Sequence, residues 1–201
     1  MAAQSQPRLT PEEYLAIERA AEFRSEYYNG RMYLMAGGSR RQAIIIGNLT
    51  RRLGNLLDGR PCVATPIDLR VRVSPYGLYT YPDVIVSCDP PELLDGYKDT
   101  LLNPTLIIEV LSPSTEAYDR GFKSQQYRTI ESLQEYALVS QTEPRIEVFR
   151  RQPGGDWLLS EAVGIGATCR FDSVDCRIPL AEVYDKVSLD DEPPLGDRGS
   201  R

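Results

Sequence analysis

The sequence predicts an α/β or α+β fold in which a central mixed β-sheet lies between helices. Two segments repeat apolar residues at helical spacing, and several short runs rich in Val, Ile and Leu lie between and after them. The 201 residues are 41% hydrophobic, which is enough for one domain with a substantial core. We therefore expect a single domain over residues 1–189 and a disordered, charged and Pro-containing tail over residues 190–201.

The first predicted element is a helix over residues 10–22. Thr10 suits the N-cap, and a proline and two glutamates follow it in the first turn. A β-hairpin comes next, because Asn29-Gly30 lies between β-favouring residues. Glu26 stands just before that turn.

A second, amphipathic helix is predicted over residues 42–57, with Arg51 and Arg52 outside its apolar face. Residues 69–73 alternate apolar with basic, as a half-buried strand does. A third helix is expected from Asp119 to about residue 131. Further strands are predicted over residues 81–86, 105–111, 135–140 and 145–150, the last two forming a hairpin across residues 141–144, and residues 157–163 are expected to add another strand.

Two acidic residues lie within or beside apolar strands. Asp83 begins the run Asp-Val-Ile-Val, and Glu109 lies in Leu-Ile-Ile-Glu-Val-Leu. Burying an ionised carboxylate costs several kcal/mol, roughly, unless a cation or hydrogen bonds offset it. Magnesium needs only one or two protein carboxylates, and such an ion suits phosphodiester hydrolysis. Lys123 follows on the predicted third helix and adds a positive charge.

The formal net charge of -6 is unevenly distributed. Residues 38–73 hold seven arginines and two acids, a local net charge of +5, which leaves -11 for the rest. This excess is either a solvated face or a phosphate-binding surface, since the guanidinium fork matches phosphate oxygens. In the second interpretation Arg40, Arg41, Arg51 and Arg52 would contact a nucleic-acid backbone.

The chain contains no histidine, which excludes Ser-His and Cys-His nucleophile pairs. The cysteines form no CxxC pair, so a zinc site is not expected, and all four are predicted to be reduced and buried. They are Cys62, Cys88, Cys169 and Cys176. Ser112 and Ser114 are expected to cap a turn rather than to act as nucleophiles.

Four segments together resemble a known family. FRSEYYNG, YPDVIVSCDPP, NPTLIIEVLSPSTEAYDRGFK and EYALVSQTEPRIEVFRR are similar to the Uma-type family of proposed restriction endonucleases, over roughly residues 9–187. The resemblance implies the restriction-endonuclease-like core of the PD-(D/E)xK nuclease superfamily. It also implies that Asp83, Glu109 and the backbone carbonyl of Val110 bind Mg²⁺ or Mn²⁺, with Glu26 as a further ligand of the metal or its water.

The chain departs from the superfamily pattern at two positions. The motif would place a lysine at position 111, which is leucine here, and Lys123 is the natural substitute on the following helix. Relatives tend to carry a histidine at the start of the second helix, where this chain has Gln42. The second departure puts full activity in doubt.

Structural alternatives exist for each acidic or basic candidate. Asp119 and Lys123 are four residues apart and could form a helix-surface ion pair. Asp83 could cap a strand entry, and Glu109 could pair with an arginine. Tyr127 is predicted to be a core residue.

The leading functional hypothesis is a cytoplasmic Mg²⁺-dependent endodeoxyribonuclease that acts as a homodimer, because cutting both strands of a duplex calls for two sites. One alternative is a catalytically lapsed nuclease fold that binds nucleic acid or protein. Another is a structural dimer formed at an exposed sheet edge near residues 145–150. No apolar stretch is long enough to span a membrane, so no membrane partner is expected.

Overall fold

A computed structural model describes residues 8–74, 77–88 and 90–189. The predicted disordered tail, residues 190–201, lies outside the described residues. The helices are α1 (Pro11–Ala20), α2 (Arg40–Leu56), α3 (Glu116–Tyr118), a π-helical turn (Asp119–Lys123), α4 (Ser124–Tyr127), a 3₁₀ turn (Asp172–Val174) and α5 (Leu180–Val183). The strands are β1 (Ser25–Tyr28), β2 (Arg31–Leu34), β3 (Cys62–Pro66), β4 (Arg70–Arg72), β5 (Tyr79–Thr80), β6 (Val84–Cys88), β7 (Thr100–Leu101), β8 (Leu106–Val110), β9 (Glu135–Val139), β10 (Arg145–Arg151), β11 (Trp157–Val163), β12 (Thr168–Phe171) and β13 (Cys176–Pro179).

The strands form a six-stranded sheet in the order β11-β10-β9-β8-β6-β3, a five-stranded sheet in the order β2-β1-β5-β4-β7, and the pair β12-β13. The larger sheet is mixed, because β8 and β9 are parallel while its other pairs are antiparallel. The predicted fold class is therefore confirmed. The second sheet was not predicted, because strands β5 and β7 are too short to leave an alternating pattern in the sequence.

Helices cover both faces of the six-stranded sheet. On one face, Ile45, Leu49 and Leu53 of α2 are fully buried against the strands. On the other face, Ile85 and Ile107 pack in a second core that includes the rings of residues 127 and 136. Burial on both sides explains why β6 and β8 read as continuous apolar runs.

Local signals set several element ends. The Thr10 side chain accepts a hydrogen bond from the Glu13 amide in a capping box, so α1 begins as predicted and ends slightly early. The side chain of Ser39 caps α2 by accepting from the amide of Gln42. Asn29 and Gly30 both have positive φ, at 47° and 84°, which gives the predicted hairpin between β1 and β2.

The predicted third helix is irregular and lies three to four residues earlier in the chain than expected. It begins at Glu116, ends at Tyr127, and contains the π-helical turn Asp119–Lys123. In that turn the amide of Ser124 donates to the carbonyl of Asp119, five residues earlier. Single π turns within helices occur frequently at functional sites.

Two sequence expectations are wrong. Cys62 and Cys88 are paired in a disulfide, because the unpredicted strand β3 places Cys62 directly opposite Cys88 on β6. Cys169 and Cys176 are free and buried, as expected. The strand over residues 145–150 is not an edge, since β10 lies between β9 and β11.

Candidate active site

The two acidic candidates lie side by side at one edge of the six-stranded sheet. Residues 84 and 108 are direct partners between β6 and β8, so Asp83 just before β6 faces Glu109 near the end of β8. The amide of Val110 donates to Asp83 Oδ2 at 2.7 Å, and the amide of Asp83 donates to Glu109 Oε2 at 3.4 Å. Only 6% of Asp83 and 4% of Glu109 is exposed.

Lys123 lies between three carboxylates. Its Nζ is 2.9 Å from Glu26 Oε1, 3.1 Å from Glu109 Oε1 and 3.5 Å from Asp119 Oδ1. The ion pair expected between Asp119 and Lys123 therefore exists within a larger cluster. Glu109 pairs with this lysine and not with an arginine.

The nearby positive charge does not offset the burial of Asp83 and Glu109, so the pKa values of both carboxyl groups are raised. Burial raises the pKa of Asp83 to about 6, although the Val110 amide and Lys123 act in the opposite direction. Burial also raises the pKa of Glu109 to about 8, with Lys123 opposing the shift. Burial alone would lower the pKa of Lys123, but the surrounding carboxylates, with Glu109 foremost, raise it well above its ordinary value. An additional cation would stabilise both carboxylates in their ionised form.

Three further hydroxyl groups hold these carboxylates and were not predicted from the sequence. The Tyr127 hydroxyl donates to Glu109 Oε1 at 2.7 Å, while its ring is fully buried in the core as predicted. Thr80 and Tyr118 donate to Glu26, the latter at 3.2 Å. Tyr127 follows Lys123 by four residues, and this helical spacing was the one available signal for its position.

Glu26 belongs to the lysine side of the cluster. Its two oxygens accept from Lys123, Thr80 and Tyr118, which leaves Asp83 and Glu109 as the acids at the sheet edge. This set of contacts favours a role in positioning Lys123.

Gln42 approaches the same edge from the first turn of α2. Its Nε2 donates to Asp83 Oδ1 and Oδ2, both at 3.3 Å, and to the backbone carbonyl of Val110 at 3.4 Å. The residue noted as a departure from the family pattern therefore touches two of the expected ligands directly.

The donor set fits a hard divalent ion. Asp83, Glu109 and the Val110 carbonyl supply only oxygen atoms, which magnesium and manganese prefer. Within the described residues, no group of three or more His, Cys, Asp or Glu side chains is arranged as a metal site. Magnesium does not require such a group, because it commonly keeps several water ligands.

Two depressions flank this edge. A groove of about 560 Å³ runs along α2 and is lined by Gly38, Ser39, Gln42, Ala43, Ile46, Gly47, Thr50, Arg51, Pro66 and Ile67. A cleft of about 640 Å³ lies on the other side, where Glu26 and Lys123 meet aromatic residues. Those aromatic residues are Tyr28, Tyr33, Tyr118 and Phe122.

The four predicted backbone-contacting arginines differ in their surroundings. Arg40 and Arg51 are exposed. Arg52 forms an ion pair with Glu182 at 3.0 Å, and Arg41 donates to the carbonyl of residue 189 at 3.4 Å.

Part of the local arginine excess is structural. Arg70 is 3% exposed and donates to the Tyr81 hydroxyl and Thr100 Oγ1. Arg60 donates to the carbonyl of Val174 at 2.7 Å. The charge pattern alone could not separate these arginines from surface ones.

Residues 11–173 match the family model described as "Uma2: Putative restriction endonuclease". The chain belongs to the Uma2 family. Two proteins of Synechocystis sp. are similar to this chain, and one of them, the uncharacterized protein slr1290, is 42% identical over 153 residues, covering 76% of this chain and 80% of that protein. The uncharacterized protein sll1609 is 36% identical over 163 residues, covering 81% of this chain and 92% of that protein.

A solved structure shares the fold of this Uma2 protein. The crystal structure of a "putative nuclease belonging to DUF820" from Anabaena variabilis aligns with a TM-score of 0.71 and 18% identity. The alignment covers 88% of this chain and 97% of that one. These findings confirm the family resemblance and the nuclease-like fold.

In the described part of the chain, every helix is too short or too polar to cross a membrane.

Proposed function

We propose that this Uma2 protein is a divalent-metal-dependent endonuclease that hydrolyses phosphodiester bonds in DNA. The observation that carries the proposal is the edge at which Asp83, Glu109 and the Val110 carbonyl meet beside Lys123. Membership of a family described as "Putative restriction endonuclease" and the nuclease-like fold support it.

In this proposal Asp83, Glu109 and the Val110 carbonyl hold Mg²⁺ or Mn²⁺. A bound ion would supply Lewis-acid stabilisation of phosphate oxygens and a lowered pKa of bound water. Lys123 lines the cleft and keeps its proton because of the carboxylates around it. Its ammonium group holds Glu109 in place and offers positive charge to the phosphate oxygens. Glu26 positions that ammonium group from the opposite side.

The surroundings of the edge offer positive charge and open space to a nucleic-acid chain. Exposed Arg51 lines the groove along α2, and exposed Arg40 lies near its start, so both can approach backbone phosphates. The aromatic cleft has the size of a typical small-ligand site and could hold nucleotides beside the reacting phosphate.

DNA cleavage tests the proposal directly. Purified protein is incubated with Mg²⁺ or Mn²⁺ and supercoiled plasmid, and nicked and linear products are quantified. We expect cleavage that EDTA abolishes and that Asp83→Ala lowers at least about 100-fold, since the ion carries the charge stabilisation. Asp156→Ala is the matched control, because this exposed acid lies in the turn between β10 and β11. Equal cleavage by wild type and Asp83→Ala would refute the assignment.

One observation favours a second candidate, a lapsed nuclease fold that binds nucleic acid. Gln42 donates to Asp83, and Lys123 pairs with Glu109, so protein groups partly satisfy both acids. The two candidates differ in metal binding. Salt-sensitive DNA binding by a protein that binds neither Mg²⁺ nor Mn²⁺ would favour the second candidate.

A homodimer is also proposed. Strand β11 is an edge of the six-stranded sheet and exposes Leu158, Leu159 and Val163, which are 54%, 47% and 58% exposed. Edges with exposed apolar residues favour pairing with another chain. Light scattering over a range of concentrations would contradict the dimer if the mass stayed that of one chain.

A further inference from the structure

One wall of the aromatic cleft is a single face of the β1–β2 hairpin. Glu26 lies directly opposite Tyr33 across the two antiparallel strands. In the same register Tyr28 lies directly opposite Arg31. Side chains of opposite residues, and of residues two apart in a strand, point to the same face of a sheet. Glu26, which contacts Lys123 at 2.9 Å, therefore shares its face with two tyrosines and an arginine.

Aromatic rings continue from this face onto the turn that carries Lys123. The Tyr28 ring meets the Phe122 ring edge to face, with their centroids 4.6 Å apart. The Phe122 ring stacks on the Tyr118 ring, with their centroids 5.3 Å apart. Lys123 Nζ lies 5.6 Å from the centroid of the Tyr118 ring. The row of rings thus ends at the ammonium group proposed to face the reacting phosphate.

Protein covers these rings only in part. Tyr33 is 47% exposed and Tyr118 is 36% exposed, while Tyr28 and Phe122 are half-buried. Single exposed aromatic residues are common on protein surfaces, but these four line one cleft of about 640 Å³. Pockets of about 300–1,000 Å³ enclose small organic ligands, so the cleft has room for a nucleobase.

Only an unpaired base can stack on these rings. In a continuous duplex the faces of each base are covered by its neighbours, and side chains reach only base edges and the backbone. A base outside the stack exposes its ring face, and stacking of that face on an aromatic side chain is favourable for every base. Exposed Arg31 lies on the same face as the rings and supplies positive charge for the backbone of such a strand.

We propose that the aromatic cleft binds unpaired bases next to the scissile phosphate, so that the preferred substrates are single strands, flaps and overhangs. This inference rests on the proposed function and names its substrate class. Tyr33 is the principal stacking side chain, because it is the most exposed of the four rings. Arg31 contacts the backbone of the bound strand.

Binding in EDTA tests the substrate class without cleavage. A fluorescein-labelled DNA oligonucleotide is titrated with the full chain, both as a single strand and annealed to its complement, and fluorescence anisotropy is recorded. We expect the single strand to bind at least about tenfold more tightly than the duplex. Equal binding of the two forms, or tighter binding of the duplex, would overturn the proposal.

Tyr33→Ala isolates the contribution of stacking. We expect it to weaken single-strand binding about tenfold and to leave duplex binding unchanged. Tyr33→Phe keeps the ring and should bind as wild type does. Tyr97→Ala is the matched control, because this tyrosine is 74% exposed and lies outside the cleft. With each variant shown to be folded by circular dichroism, unchanged single-strand binding by Tyr33→Ala would overturn the proposal.

Two further readouts separate stacking from general attraction to DNA. Arg31→Ala should reduce the slope of log Kd against log salt concentration by about 0.7 for the single strand, by the loss of one phosphate contact. A 5-iododeoxyuridine placed in the single strand forms photocrosslinks with rings stacked on it, and we expect Tyr33 or Phe122 in the crosslinked peptide. Crosslinks confined to residues outside the cleft would overturn the proposal.

Cleavage with Mn²⁺ distinguishes the failure of this proposal from the failure of the proposed function. We expect single-stranded and flap oligonucleotides to be cut faster than the duplex, and Tyr33→Ala to raise the KM for them. Metal-dependent cleavage of duplex and single strand at equal rates would overturn the substrate class alone. Single-strand binding that depends on Tyr33, by a protein that cuts no DNA, would overturn the proposed function but support the base-binding cleft.

Discussion

Replacing Lys123 with methionine removes the cation that three buried carboxylates share. Its ammonium is within 2.9–3.5 Å of Glu26, Glu109 and Asp119, and the lysine is 6% exposed. Unit charges about 3 Å apart attract by about 5 kcal/mol at an effective dielectric constant near 20. The cost of desolvating the charges offsets much of this attraction, and breaking a buried pair typically costs about 3–5 kcal/mol. We expect a loss of unfolding free energy in that range at pH 8.

The loss should depend on pH. Without the ammonium, the pKa values of Glu109 and Asp119 in the folded protein rise further above those in the unfolded chain. A carboxyl group with a raised folded pKa destabilises the fold progressively as pH rises from its unfolded pKa through its folded pKa. At pH 5 the Glu109 carboxyl group, whose pKa is about 8 already in wild type, is largely protonated, so Lys123→Met should lose less stability there than at pH 8.

Urea unfolding at pH 5 and pH 8, without metal, measures both effects. Arg24→Met is the matched control, because its ion pair with Asp68 is largely exposed and should contribute less than about 1 kcal/mol. A Lys123→Met loss below about 1 kcal/mol at pH 8, or equal losses at both pH values, would show that the ammonium group does not stabilise these buried carboxylates.

Three other predictions concern the same part of the fold. Burial raises the pKa of Asp83 from 3.8 to about 6, so the Asp83 carboxyl group should contribute a loss of about 3 kcal/mol to the stability of metal-free wild type as pH rises from 4 to 8. Asp83→Asn should remove this loss and be the more stable protein at pH 8 in urea unfolding; an unchanged slope would contradict the assignment. Tyr127→Phe deletes a hydrogen bond to Glu109 and should cost about 1–2 kcal/mol in the same assay, with a further rise in the pKa of Glu109; full stability would show that the hydroxyl is not needed. Reducing the Cys62–Cys88 disulfide, which closes a 26-residue separation, should lower stability by about 3 kcal/mol; an unchanged melting temperature in thiol reductant would argue against the bond.

Strong local patterns made the sheet edge predictable from sequence. The apolar runs that became β6 and β8 located Asp83 and Glu109, and helical spacing placed Lys123 on the following helix. The hairpin beside Glu26 followed from Asn-Gly. Each of these signals lies within a few residues of chain.

The remaining features depend on contacts between distant segments. Strand β3 has a weak pattern, so its pairing with β6, and with it the disulfide, was not visible. The hydroxyl groups of Thr80 and Tyr118 reach Glu26 only because separate elements converge there. Likewise, only the tertiary structure distinguishes buried Arg70 from exposed Arg51.

A crystal structure with Mn²⁺, using anomalous scattering to locate the ion, shows whether Asp83, Glu109 and Val110 bind it. We expect an anomalous peak about 2.1 Å from an Asp83 oxygen and from the Val110 carbonyl oxygen, with Glu109 also bound. Crystals of active, Mn²⁺-saturated protein with no peak between these groups, or with the ion at another location, would contradict it.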